Sequence, residues 1–213
     1  MILHDCQQGT DAWWQCRLGI PTASGFKRLL TSKGALSESL NGYAAELAAE
    51  LFTGRPLESM DGNAWMQRGK EHEAEARASY AFIHDVEVKE IGFVSMDDAC
   101  AGCSPDGLIG DDGGLEIKCL KPERHIAAVH YYKKHGKIPS DYLLQVQGSL
   151  MVTERKWWDL WFWSPELPPL AIRATPDKEI HAALSKAIAA VIAERDSQLA
   201  SQRHQQTHIW EPK

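Results

Sequence analysis

Apolar residues fall at helical spacing up to about residue 83, at strand spacing from 86 to 120, and then alternate between the two periods as helix, two strands and helix. Residues 22–30, TASGFKRLL, read as a helix start with Thr22 or Ser24 as N-cap. Residues 40–52, LNGYAAELAAELF, are rich in alanine and leucine and predict a helix that Gly54 and Pro56 stop. Residues 64–83, AWMQRGKEHEAEARASYAFI, predict another, on which Glu73, Arg77 and Tyr80 share one side. The period then changes. VEVKEIGFVS (86–95), ACAGCSPDG (99–107) and GLEIKCL (114–120) are short, β-rich and punctuated by Asp and Gly. DYLLQVQGSLMV (141–152) returns to helical spacing after Pro139-Ser140. KWWDLWFWS (156–164) and LAIRAT (170–175) read as strands, with Pro165, Pro168 and Pro169 confining the turn between them. Thr175 is placed to cap a long helix with Pro176 at its first position. Ile180, Leu184, Ala187, Ile188, Val191 and Ile192 form its apolar stripe. This order of elements predicts an α+β fold with a mixed sheet.

Composition narrows the picture. A chain of 213 residues, 44% hydrophobic and 24% charged, is expected to form one globular domain over residues 1–213. No apolar run approaches the roughly 20 residues that span a bilayer, and no signal peptide is visible at the N-terminus. The expectation is a cytoplasmic protein with no membrane partner and with its five cysteines as thiols. A net charge of −6 taken alone argues against nucleic acid. The basic residues cluster, however: Arg17, Lys27, Arg28 and Lys33; Lys118, Lys121 and Arg124; Lys133, Lys134 and Lys137. A basic groove can coexist with an acidic exterior.

The densest chemistry lies in CSPDGLIGDDGGLEIKC (103–119). At strand period two, Leu115, Ile117 and Cys119 face one way and Glu116 and Lys118 the other. The turn Gly110-Asp111-Asp112-Gly113-Gly114 lets the chain reverse into an antiparallel pair, which brings Asp106 beside Glu116. Two such carboxylates suit Mg²⁺ or Mn²⁺, hard ions that keep several waters. A bound divalent ion acidifies its water and neutralises phosphoryl charge, and Lys118 at the same mouth could orient the attacking water or stabilise developing charge. The bland alternative is a solvated salt bridge on an exposed sheet face. Asp111-Asp112 could bind Ca²⁺, but the spacing fits no EF-hand loop, and a plain turn reads better. Cys100, Cys103 and Cys119 could ligate zinc, but no second paired Cys or His motif completes a set, and Cys119 reads as core.

At these residues the sequence resembles the bacteriophage lambda exonuclease family, the phage-type alkaline exonucleases of the PD-(D/E)XK nuclease superfamily. Four collinear blocks carry the likeness: QGTDAWWQCRLGIPTAS (8–24), RGKEHEAEARASYAF (68–82), CSPDGLIGDDGGLEIKC (103–119) and LLQVQGSLMVT (143–153). The superfamily signature alone is degenerate; four blocks in order are specific. The resemblance implies a PD-(D/E)XK restriction-endonuclease-like core, with a central mixed β-sheet flanked by helices. It makes Asp106 and Glu116 the metal-binding acids, joined by the Ile117 carbonyl, and Lys118 the catalytic lysine. It makes Glu73 an acid that reaches the metal through water, and Gln145 a supporting glutamine. Arg17, Ser24 and Ser104 match residues that hold the 5′-phosphate of the substrate. Met66 sits where the family places an apolar residue that parts the strands. The loop that guides DNA would fall near TSKGALSES (31–39), shorter and less basic than in the family.

Each of these residues also has a plainer reading. Glu73 could pair with Arg77 at i,i+4, Arg17 could be a surface cation, Gln145 a solvated helix residue and Met66 core. Trp157, Trp161 and Trp163 read as one face packing on a helix or subunit rather than as base-stacking platforms. The implied activity is Mg²⁺-dependent 5′-to-3′ digestion of one strand of linear duplex DNA, processive, giving mononucleotides and a 3′ overhang. A ring-shaped homotrimer around DNA ends and a single-strand annealing recombinase as partner are implied with it. Two other readings use the same residues: an endonuclease of the same superfamily, and a non-catalytic DNA-end-binding module.

Overall fold

The computed structural model describes residues 1–31, 33–57 and 64–209, without the side chains of 64–71 and 205–209. The chain opens with a short strand β1 (Ile2–His4), helix α1 (Asp11–Arg17), a 3-10 turn (Ala23–Arg28), and helices α2 (Leu40–Thr53) and α3 (Ala64–His84). Strands β2 (Phe93–Ser95), β3 (Gly102–Cys103), β4 (Gly107–Ile109) and β5 (Gly113–Cys119) follow. Helices α4 (Pro122–His135) and α5 (Ser140–Thr153) lead into β6 (Trp157–Ser164) and β7 (Leu167–Ala174), and α6 (Lys178–Ile209) closes the described chain.

The strands form two sheets. β1, β2 and β3 make an antiparallel three-stranded sheet; β4, β5, β6 and β7 make a mixed four-stranded sheet in that order. Only β5 and β6 run parallel, with register from Gly113↔Trp157 to Cys119↔Trp163. A parallel pair needs a long crossover, which α4 and α5 supply. β6 is buried on both faces and therefore reads as a near-continuous apolar run. Trp158, Leu160 and Phe162 pack with Val146 and Leu150 of α5 and Ala128 of α4. Trp161 and Trp163 pack with Ala76 and Tyr80 of α3, and Trp157 is packed against the same cluster. The Trp161 indole donates to the Ala76 carbonyl at 3.2 Å, so this tryptophan face meets a helix of its own chain. A separate core joins the 3-10 turn, α2 and α6, through Phe26, Leu29, Leu47, Leu184 and Ile188.

Several elements depart from the sequence expectation. The strand expected over 86–95 shrinks to Phe93–Ser95, with a single isolated bridge, Lys89↔Leu108, before it. The strand expected over 99–107 is split between β3 and the start of β4. Of residues 22–30 only Ala23–Arg28 is helical, as a 3-10 turn, and Thr22 makes no side-chain cap. The cap of α6 is Asp177, not Thr175: its Oδ1 accepts from the backbone N–H of Glu179 and Ile180, at 2.9 and 3.1 Å. The Thr175 carbonyl instead accepts from Gln147 Nε2. Pro168 and Pro169 lie within β7 rather than in the turn; β7 is an edge strand, and the two prolines fall at the register irregularity opposite Phe162 to Ser164, where ladder N–H groups are dispensable. Of the expected turn glycines, Gly110 takes a left-handed φ of 50°. Gly113 and Gly114 belong to β5, where an added Cβ would lie 2.1 Å from the Trp157 and Trp158 rings.

Candidate active site

The open end of the β4–β5 pair positions the acids. Asp106 precedes β4, and its backbone N–H donates to the Leu115 carbonyl at 3.1 Å. Past that point β4 is no longer opposite β5, and the Asp106 carboxylate takes the place of the missing strand: Oδ2 accepts from the Ile117 N–H at 2.6 Å. Leu115 and Ile117 direct their backbone groups to the same edge, so the Ile117 carbonyl opens toward Asp106. Glu116 and Lys118 share the opposite side-chain face. Lys118 Nζ and Gln145 Nε2 of α5 both donate to Glu116 Oε1, each at 2.6 Å. Glu116 is only 3% exposed, so the solvated surface pair is excluded.

Glu73 approaches from α3. Its Oε1 accepts from Arg77 Nη2 at 2.6 Å, as helical spacing predicts. Arg77 does more than that: its Nε donates to the Asp106 carbonyl at 2.8 Å, and Nη1 lies 3.0 Å from Glu90. Sequence reasoning noted Arg77 only as a helical neighbour, because its contact with Asp106 is tertiary. Burial, and after it the Glu116 and Glu73 carboxylates, push the Asp106 carboxyl well above the usual range. Burial also raises Glu73, against the pull of Arg77. At Lys118 burial opposes the charge, but Glu116 and Asp106 outweigh it and lift the ammonium above its ordinary value.

Among the described residues no three His, Cys, Asp or Glu side chains form a ready metal cage. The donors present fit a smaller demand. Asp106 Oδ1 and Glu116 Oε2 accept no hydrogen bond among the described residues. Two hard oxygens and a carbonyl suit an ion that keeps most of its water, and crowded carboxylates, one with a strongly raised pKa, favour a cation. A cysteine site finds no such support: Cys103 is buried in one core cluster while Cys119 packs against another.

Arg17, Ser24 and Ser104 connect to this site through one hydrogen bond and two clefts. Arg17, the last residue of α1, donates from Nη1 to Ser104 Oγ at 3.0 Å. Ser104 stands two residues before Asp106, at most about 7 Å along the chain. Arg17 and Ser24 line one cavity of about 550 Å³ together with Thr22, Lys27, Arg28 and Tyr43. A second cleft of about 1020 Å³ holds Lys118 and Gln145 with Ser24, Lys27, Lys33 and Arg124. Basic residues from two of the three sequence clusters thus reach two clefts that share Ser24 and Lys27, on a chain of net negative charge. In the loop 31–39, Ser32 lies outside the described residues; around it Leu30 and Leu36 form an antiparallel bridge. Met66 falls in the first turns of α3, where side chains lie outside the described residues. Sequence reasoning missed Trp13, which donates from Nε1 to Ser104 Oγ at 2.9 Å; its only signal was its place within the first of the four blocks.

Comparison with known proteins identifies the family. Residues 12–156 match the YqaJ-like viral recombinase domain. The alkaline exonuclease LHK-Exo from Laribacter hongkongensis is 32% identical, covering 94% of this chain and 100% of that one, with a TM-score of 0.81. LHK-Exo in complex with dAMP matches with the same identity and coverage and a TM-score of 0.82. A phage-related exonuclease from Haemophilus somnus 129PT shares the fold at 14% identity, covering 86% and 96% of the two chains with a TM-score of 0.68. No curated protein matches in sequence. The fold is the PD-(D/E)XK type expected from the sequence. With two thirds of its length matched to one family and a 32% identical alkaline exonuclease superposing on nearly all of it, the chain belongs to the YqaJ-like viral recombinases, nucleases of the phage lambda exonuclease type.

Proposed function

We propose that the protein is a divalent-metal-dependent exonuclease that removes mononucleotides from the 5′ ends of linear duplex DNA and leaves a 3′ single-stranded overhang. The observation that carries this reading is the hydrogen bond from Arg17 to Ser104, which stands two residues before Asp106. A terminal phosphate held there lies beside the acids, so the adjacent phosphodiester is presented to them and an internal one is not. That LHK-Exo forms a complex with dAMP, a mononucleotide, supports the same product.

Asp106, Glu116 and the Ile117 carbonyl would hold Mg²⁺, with Mn²⁺ as a substitute, and Glu73 would reach it through water. When bound, the ion supplies charge neutralisation at the phosphate and an acidified water. The chain's own groups do the rest. Lys118 brings an ammonium to the same mouth, where it stabilises charge developing on the scissile phosphate. Gln145 holds Glu116 Oε1 from the α5 side, which fixes the carboxylate plane. Arg17, with Ser24 and Ser104 beside it, fixes the end of the strand and suits a phosphate by its fork of donors. Met66 would part the strands at the duplex end. A homotrimeric ring enclosing the duplex would give processivity and would turn the basic clefts inward, leaving the acidic surface outside. A single-strand annealing recombinase would use the overhang.

The test is digestion of linear duplex labelled separately at its 5′ and 3′ ends, with Mg²⁺ and then with EDTA, beside closed circular duplex. Early release of 5′ label as mononucleotide, silence in EDTA and an intact circle are expected. Cutting of the circle would make it an endonuclease, and metal-independent binding without product would make it an end-binding module. Sedimentation equilibrium tests the trimer.

A further inference from the structure

Within the proposed 5′-end pocket, the neighbours of one hydroxyl fix its hydrogen-bonding role. Ser104 Oγ accepts from Arg17 Nη1 at 3.0 Å and from Trp13 Nε1 at 2.9 Å. The indole N–H is shared with the Gly92 carbonyl at 3.0 Å, which anchors the ring to the residue before β2. A serine oxygen has two lone pairs and one proton, whereas indole and guanidinium are donors only. Both lone pairs of Ser104 therefore face N–H groups, and neither neighbour can take its proton. Among the described residues no acceptor takes it either. The hydroxyl is left as a donor. The same indole also seats the arginine: the Arg17 guanidinium carbon lies 4.2 Å from the centroid of the Trp13 ring, within the range of cation–π attraction.

We propose that Trp13 is a positioning residue that makes the pocket selective for a 5′-phosphate. Its N–H commits Ser104 to donating, and its ring face holds Arg17 in the orientation that bonds Ser104. The inference rests on the 5′-phosphate reading above. A phosphate monoester presents charged acceptor oxygens to that donor and to the guanidinium. A 5′-hydroxyl end presents neither charge nor oxygens in that place. Sites built to pair a polar group discriminate most strongly when the group is left unpaired. Trp13 itself need not touch DNA. Its action passes through Ser104 and Arg17, which a ring without an N–H would only half support.

Trp13→Phe separates the two parts, since it keeps an aromatic face for Arg17 and removes the donor. The measurement is equilibrium binding of 5′-phosphoryl and 5′-hydroxyl duplex in EDTA at one salt concentration, because phosphate contacts depend on salt. The ratio of digestion rates on the two ends in Mg²⁺ accompanies it. The preference for 5′-phosphoryl ends is expected to fall about tenfold in Trp13→Phe, the loss of one hydrogen bond. It should appear in KM for phosphoryl ends more than in kcat. Ser104→Ala should lower the preference by a similar factor, and adding it to Trp13→Phe should lower it little further, as expected for coupled neighbours. If Trp13→Phe fails to fold, Ser104→Ala alone decides: a full preference in that variant overturns the inference. An equal loss on both ends, with the ratio unchanged, would show that Trp13 is only structural and overturns it too. Absence of any preference in the wild-type protein removes the 5′-phosphate reading itself, a different outcome from a wild-type preference that survives Trp13→Phe.

Discussion

Replacing Arg77 with methionine should damage both the fold and the metal site, and the size of the damage follows from its contacts. Methionine keeps most of the apolar stem and removes the fork of donors. Three contacts go: Glu73 at 2.6 Å, the Asp106 carbonyl at 2.8 Å and Glu90 at 3.0 Å. They are not equal. The Glu90 side chain is 73% exposed, so that pair contributes little. Arg77 and Glu73 are 13% and 30% exposed, so their pair is largely shielded from water. A hydrogen bond to a charged group contributes about 1.5–3 kcal/mol, and two such bonds less the retained stem packing give a loss of about 3 kcal/mol. Urea unfolding in EDTA measures it. The second effect is local. Arg77 opposes the upward push on Glu73 more than Lys118 does, so its removal leaves Glu73 protonated over a wider pH range. It also frees the Asp106 main chain. The Mg²⁺ concentration for half-maximal activity should rise. Arg77→Lys should recover less than half of either loss, because one ammonium cannot span both partners as a guanidinium does. A stability loss below about 1 kcal/mol, the usual scale of an ordinary substitution, together with unchanged Mg²⁺ dependence would refute the bridging role.

Asp106→Ala and Glu116→Ala should each abolish Mg²⁺-dependent hydrolysis while circular dichroism and gel filtration stay native; turnover like that of wild type in either would remove these acids from the site. Lys118→Ala should slow single-turnover hydrolysis by roughly 10²–10³ with Mg²⁺ still bound by calorimetry. The metal-free protein should lose stability as pH rises. Asp106 and Glu73 have folded pKa values raised above their unfolded ones, so their contribution is fully present below the ordinary carboxylate range and is lost as pH climbs through the raised values. Melting temperature in EDTA should therefore fall as pH rises above the ordinary carboxylate range, and Mg²⁺ should stabilise more at the higher pH; a flat EDTA profile would contradict the crowding of these acids. Arg155→Met should destabilise the chain by about 2–4 kcal/mol, since its buried Nη1 ties together the Gly110 and Gly113 carbonyls, at 2.8 and 2.7 Å, at the closed end of the β4–β5 hairpin.

How far the sequence could be read depended on whether a feature is local or tertiary. The alternation in GLEIKC was legible because one face of β5 packs on the α3 cluster, and a slip of one residue would bury Glu116 and Lys118 against Trp161 instead. The pairing of Asp106 with that strand was legible because the turn length fixes it. Gly113 was read as turn alone because glycine in a turn and glycine under an indole look alike in sequence; only the β5–β6 register, set by a crossover of two helices, places Trp157 over it and Trp158 over Gly114. The α6 cap moved from Thr175 to Asp177 for a similar reason, since Gln147 on a distant helix accepts the Asp177 N–H and donates to the Thr175 carbonyl, fixing the entry of the chain. Arg77 and Trp13 carry the same lesson into the site. Each sits in a block that the family likeness selects, yet nothing local separates a helix-pairing arginine from one that also holds the Asp106 carbonyl, or a core tryptophan from one that saturates a serine. The acids of a nuclease can be found by spacing. The residues that aim them answer to partners 29 and 91 positions away, and those partners become neighbours only when the strand after Pro105 is laid against β5.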